Sequence, residues 1–93
     1  MLHLTFFSSP SHGWLAVRAD SPYLAGLTFS RYSFTHRGFR FLEEDCDAPL
    51  FLSHLRDAHG IAASIVDVYD ERMEPREGAY AKFDSMLSKG VLS

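Results

Sequence analysis

Cysteine occurs once in the 93 residues, as Cys46, so no disulfide can form within the chain and the composition fits a reducing, cytoplasmic setting. The opening run Met1–Phe7 is short, contains His3, and lacks the basic start and small-residue cleavage site of an export signal. No stretch approaches the ~20 consecutive apolar residues of a membrane span. A strong excess of charge of one sign is also missing: a net charge of -3 argues against a generally basic nucleic-acid binder, while leaving room for a local basic face. Lysine is absent before Lys82, which removes the partner that a nuclease-type carboxylate site usually keeps close by. No repeat, low-complexity tract or long linker divides the chain, so residues 1–93 read as one domain, with 46% hydrophobic content for a single core. Nor does any stretch carry a reaction signature or call for a cofactor or a metal.

What the chain does have is strand character in its first half. Leu2, Leu4 and Phe6 alternate with His3, Thr5 and Phe7, and Trp14–Val17 resumes the pattern after the turn Ser8–Gly13. Residues 2–7 and 14–18 therefore predict a hairpin with Trp14 at its mouth. Asp20-Ser21-Pro22 marks a helix start, with one short turn over Tyr23–Ala25 ended by Gly26. A second hairpin is expected from Phe29–Phe34, returning through Thr35–Gly38 to Phe39–Leu42. Pairing Phe34 with Phe39 and Tyr32 with Phe41 puts four aromatics on one face; Arg31, Ser33 and Arg40 then lie on the other, with Arg37 in the turn. This predicts one aromatic core face and one basic face.

The organising stretch is Phe39–Leu52, where an aromatic strand runs through Glu43, Glu44, Asp45 and Asp47 into a helix. Asp47 is the better N-cap, because starting there places Pro49 in the first turn, where its missing N–H is not needed. Phe51, Leu52, Leu55 and Ala58 form the apolar stripe, Gly60 the C-terminal cap and Ile61 its hydrophobic companion, while His54, Arg56 and Asp57 face solvent. Ala62–Tyr69 reads as a last strand, 70–78 as a polar loop, and Tyr80, Phe83 and Leu87 recur at helical spacing in 79–88. The fold expected is α+β: an antiparallel sheet of about five strands, from two hairpins and a last strand, with one main helix on one face and a C-terminal helix docked at an edge or against another chain.

Three groups bear chemistry. Glu43, Glu44, Asp45 and Asp47 could take a divalent cation or a basic partner, since hard cations and guanidinium groups both seek clustered oxygens; the plainer reading is a capped, solvated helix start, which leaves Glu43, Glu44 and Asp45 available. Arg31, Arg37 and Arg40 resemble a small phosphate-binding surface, but aromatics pointing into the core leave no platform on which bases could stack. In Ser11-His12-Gly13-Trp14, His12 could serve as a base and Trp14 could anchor a partner, against a turn whose Trp closes the core. Cys46 among carboxylates is a poor nucleophile, because like charge disfavours the thiolate although a helix N-terminus opposes that. His54 and His59 stand about 500° apart around a helix and do not share a face as a metal pair would.

Ser11–Val17, Ser30–Phe34 and Leu42–Phe51 together resemble the signature blocks of a family of small uncharacterised proteins in proteobacterial genomes, plasmids and phages. The Leu-Glu-Glu-Asp-Cys-Asp block is its most specific part. The resemblance implies a cytoplasmic, non-catalytic binding protein of mobile-element type. Its expected partner is a host protein complex, such as a CRISPR effector that it would inhibit, met through Arg31, Arg37, Arg40, Glu43, Glu44, Asp45 and Trp14. Two other classes stay open: a nucleic-acid-binding module using the arginine face, and a metal-dependent enzyme using His12 with Glu43, Glu44 or Cys46. The enzyme reading requires those side chains to share a cleft.

Overall fold

In the computed structural model, which describes residues 1–69, 71 and 84–86, five strands form one sheet in the order β3-β4-β2-β1-β5. β1 (Leu2–Ser8) and β2 (Gly13–Arg18) make the expected first hairpin, with Phe7 opposite Trp14 and Thr5 opposite Ala16. A 3-10 turn follows at Pro22–Leu24, where the Ser21 hydroxyl accepts from the Tyr23 N–H and Gly26 adopts φ 83°. β3 (Phe34–His36) and β4 (Phe39–Glu43) form the second hairpin, α1 spans Asp47–His59, and β5 is Ala63–Tyr69. Among the described residues no helix is long and apolar enough to cross a membrane.

The sheet is mixed rather than antiparallel: β5 runs parallel to β1, pairing Leu2 with Ala63 through Ser8 with Tyr69. The cause is the helix. Two successive antiparallel ladders make β4 parallel to β1. The thirteen residues of α1, about 1.5 Å each, carry the chain back along the sheet, so the next strand starts from the same end as β4. The expected hairpins are local in sequence; this crossover is not.

The second hairpin is shorter and two residues out of the expected register. Phe34 pairs with Phe41 and His36 with Phe39, around a two-residue turn at Arg37 (φ 49°) and Gly38 (φ 80°). Positive φ at both central positions gives the turn that matches the twist of the flanking strands. A shift by two keeps Phe34, Phe39 and Phe41 on one face, as side chains alternate with period two. It also leaves Tyr32 beyond the end of β3, in a turn, 55% exposed rather than in the core.

Both faces of the sheet are apolar, not one aromatic and one basic. One carries Leu4, Leu15, Val17 and Leu42 and is covered by Ala48, Phe51 and Leu55 of α1. The other carries Phe7, Trp14, Ala16, Phe34, Phe39 and Phe41, with Val68 and Met86 packed against it. β1 therefore serves both faces, Leu4 towards the helix and Phe7, fully buried, on the opposite side. Ala58, placed in the helix stripe by spacing, is exposed, since the contact ends at Leu55. The helix closes as expected: Gly60 is left-handed (φ 64°), its N–H reaches the Arg56 carbonyl, and the Ile61 N–H reaches that of Leu55 at 3.1 Å. The 70–78 loop and the helix expected over 79–88 fall outside the described residues except at 71 and 84–86; the latter are helical, and the Asp84 carboxylate meets His36 Nε2 at 3.0 Å and Arg37 Nε at 3.3 Å.

Candidate binding cleft between the first turn and the helix start

The helix start is held by Glu43, not capped by Asp47. Cys46 stands at the N-cap position without a side-chain bond to the helix. The Glu43 carboxylate accepts from the backbone N–H groups of Asp45 and Cys46, each at 3.0 Å. It fixes the turn between β4 and α1 and satisfies donors that a helix start leaves open.

Asp47 is turned the other way. Its buried carboxylate accepts from the Ser30 N–H at 3.0 Å, from the Ser30 hydroxyl at 2.7 Å, and from the Ser33 hydroxyl in a short hydrogen bond. Each serine passes the order on. Ser30 Oγ accepts from the Tyr32 N–H at 3.3 Å, and Ser33 Oγ from the Glu43 N–H at 3.0 Å. Burial pushes the Asp47 carboxyl up, but the hydrogen bonds from Ser33 and Ser30, with the charge of Arg40, outweigh it and leave its pKa below the ordinary carboxylate value. One helix residue thus ties the loop at 30–33 to the end of β4.

The first turn completes the wall. The Ser9 N–H donates to the His12 carbonyl at 2.8 Å, and the Glu44 N–H to the Gly13 carbonyl at 3.1 Å, joining the β1–β2 turn to the acidic stretch. His12 stacks on Trp14 with ring centroids 5.7 Å apart, and Trp14 meets Phe34 edge-on at 5.8 Å. Between these pieces lies a cleft of about 460 Å³ lined by residues 11–14, Tyr32 and residues 43–46. The three sequence blocks that carried the family resemblance, far apart along the chain, border this one cleft.

Gly13 is required here by space. A Cβ at that position would stand 2.5 Å from Cζ of Phe6 and 3.0 Å from Oε2 of Glu44. Gly13→Ala is expected to displace both side chains and to cost about 1–2 kcal/mol, read as a lowered thermal midpoint.

The residues singled out in the sequence are only partly brought together. Glu43, Glu44, Asp45 and Cys46 line the cleft with His12, as the enzyme reading required. Yet among the described residues no three His, Cys, Asp or Glu side chains form a group able to hold a metal. Glu43 is engaged with backbone N–H groups. Desolvation at the helix start and the carboxylates of Glu43, Asp47 and Asp45 push the exposed Cys46 thiol up, the reverse of what activates a nucleophile. Trp14 is 4% exposed and closes the core instead of standing free as an anchor, although its edge borders the cleft.

The three arginines are each turned to a different neighbour. Arg31 lies over Tyr32, its guanidinium carbon 5.3 Å from the ring centroid, and reaches the Tyr32 hydroxyl. Arg37 occupies the hairpin turn beside Asp84. Arg40 lies over Phe29 at 5.6 Å and donates to the Thr35 hydroxyl at 3.1 Å. The expected basic face depended on a strand through residues 29–33, and the bonds from Asp47 hold that segment as a loop instead. The residues that sequence reasoning missed are Ser30, Ser33 and Tyr32: the serines read as strand polar positions and Tyr32 as core. The Ser-x-x-Ser spacing ahead of an aspartate was the available signal.

Compared with models of known families, with curated proteins and with solved structures, the chain matches none.

Proposed function

We propose that this is a non-catalytic binding protein of mobile-element type that takes a lysine- or arginine-bearing segment of a host protein complex in the cleft between residues 11–14 and 43–46. The single observation that carries the reading is the pairing of Glu44 and Asp45, whose carboxylates have no hydrogen bond or ion pair among the described residues, with the exposed side chain of Tyr32 on the same cleft. Carboxylates and an aromatic face are the two groups that recognise a guanidinium, and Tyr32 already takes one from Arg31. The bonds from Glu43 and Asp47 hold both walls in place before a partner arrives, which lowers the ordering cost of binding. Residence on a mobile element, implied by the family resemblance, favours a partner in host defence; a CRISPR effector, whose surfaces are basic where they follow nucleic acid, has the matching chemistry.

The nucleic-acid reading is weaker, because it needs guanidinium groups converging on one surface. Arg31, Arg37 and Arg40 are each turned to a different neighbour.

The test is capture of a partner from host lysate with the unaltered protein and with the double variant Glu44→Lys/Asp45→Lys. The double reversal is expected to weaken binding by at least tenfold, roughly 1.4 kcal/mol or more, and added salt should weaken the unaltered complex, as for contacts near the surface. Arg37→Ala, in the exposed β3–β4 turn and away from the cleft, should leave binding unchanged. Binding that survives the double reversal, or is lost instead with Arg37, would overturn the proposal.

A further inference from the structure

Among the described residues, the outer edge of β5 carries a second set of groups without partners. In the described residues the sheet ends at β5. Its backbone polarity follows from the ladder on its other side. The Leu2 N–H donates to the Ala62 carbonyl at 2.9 Å, and the parallel register then advances residue for residue from Leu2–Ala63 to Ser8–Tyr69. In such a ladder alternate residues give both backbone groups to the neighbouring strand. Ser64, Val66 and Val68 therefore face β1 with their N–H and C=O, whereas Ala63, Ile65, Asp67 and Tyr69 direct theirs outward.

Sheet edges in monomers are normally blunted by short length, proline, lysine or a bulge. The opposite edge obeys this rule: β3 has three residues and ends in the Arg37-Gly38 turn. β5 does not. It is seven residues long, has neither proline nor lysine, and its register with β1 is unbroken. It also carries three of the chain's exposed large apolar side chains, Ile65 at 41%, Val66 at 62% and Tyr69 at 57%.

We infer that β5 pairs antiparallel with β5 of a second copy, joining two sheets across a two-fold axis at Val66. An edge strand is its own complement under such an axis, since the same surface meets itself. Hydrogen-bonded pairing requires outward-facing residues to stand opposite one another, and this leaves few registers. With the axis at Asp67, the strand's one charged residue would face its own copy, and like charges directly opposite are unfavourable. With the axis at Val66, Ile65 faces Asp67 of the second copy, Ala63 faces Tyr69, and every outward N–H and C=O of Ala63–Tyr69 finds a partner. Val66, the most exposed apolar residue of the strand, then meets Val66 of the second copy in a non-hydrogen-bonded pair, where side chains come closest. The cleft lies at the opposite side of β1 and stays open in both copies.

Sedimentation of the purified full chain from micromolar to millimolar concentration tests this, with circular dichroism as the check on folding. The unaltered protein should shift from monomer to dimer as concentration rises. Asp67→Pro removes an outward N–H and none donated to β1, so it should give a folded monomer; Val66→Lys, at an exposed position, should do the same by charge repulsion across the axis. In a Cys46→Ser background, Val66→Cys should form an intermolecular disulfide under mild oxidation more readily than Ile65→Cys, which does not face itself. A protein that is monomeric throughout, leaving the edge to a strand of some other protein, overturns the proposal. So does a dimer that persists in both edge variants, or cross-linking that favours residue 65. Retention of partner binding by the monomeric variants separates this result from the fate of the cleft.

Discussion

Asp47→Ala is expected to remove about 3–4 kcal/mol of stability, because hydrogen bonds to a buried carboxylate are worth roughly 1.5–3 kcal/mol each and their donors are left without acceptors. The loss is shared by three donor groups, the Ser30 N–H and the hydroxyls of Ser30 and Ser33. Urea titration should show a lower midpoint at nearly unchanged slope. Asp47→Asn keeps the shape but turns one acceptor into a donor, so it should fall between the two. The same carboxylate predicts the direction of pH dependence. Its folded-state pKa lies below the unfolded value, so the stabilisation is present above the unfolded carboxylate pKa of about 3.9 and is lost as pH falls from there through the folded value. In Asp47→Ala that part of the acid sensitivity should vanish. A variant as stable as the parent, or one with the parent's full acid profile, would contradict this account of how residues 30–33 are held.

Phe41→Ala should cost about 4 kcal/mol, the middle of the range for deleting a fully buried phenylalanine. Its side chain is 0% exposed, stacks on Phe34 at 4.9 Å and lies 6.0 Å from Phe7, so truncation opens a cavity between three strands. For a domain with about 5–15 kcal/mol in all, that removes a large share of the folding free energy. Tyr32→Ala, by contrast, should change stability by less than about 0.5 kcal/mol, as surface substitutions do, while weakening partner capture. The pair separates core from cleft: equal denaturation midpoints for the two variants would place Tyr32 back in the core and undo the register of the second hairpin.

That contrast also shows where sequence reasoning stopped. Tyr32 and Phe41 carry the same signal in the sequence, each an aromatic two residues from another, Phe34 and Phe39. Period two fixes which face a residue occupies once it lies in a strand, and so Phe34, Phe39 and Phe41 were assigned to one face correctly. It does not say where the strand begins. That was decided by Asp47, which binds Ser30 and Ser33 from a helix far along the chain. The arginine surface failed for the same reason, since Arg31 was expected to lie in a strand, on the same face as Arg40.

The sequence by itself determined the elements whose causes are local. Alternation and a turn made the first hairpin, proline in the first turn and glycine at the end bounded the helix, and an apolar stripe faced it to the sheet; together these specify an α+β domain. Tertiary structure alone decided the direction of β5, the partners of Glu43 and Asp47, and the meeting of residues 11–14, 32 and 43–46 at one cleft. Each of these depends on which groups a folded helix brings back across the sheet, and hydrogen bonds between residues so distant in the chain leave no periodicity to read. The acidic stretch is thus less a free charged surface than a joint: Glu43 and Asp47 are spent on building it, and Glu44 and Asp45 are the carboxylates it presents.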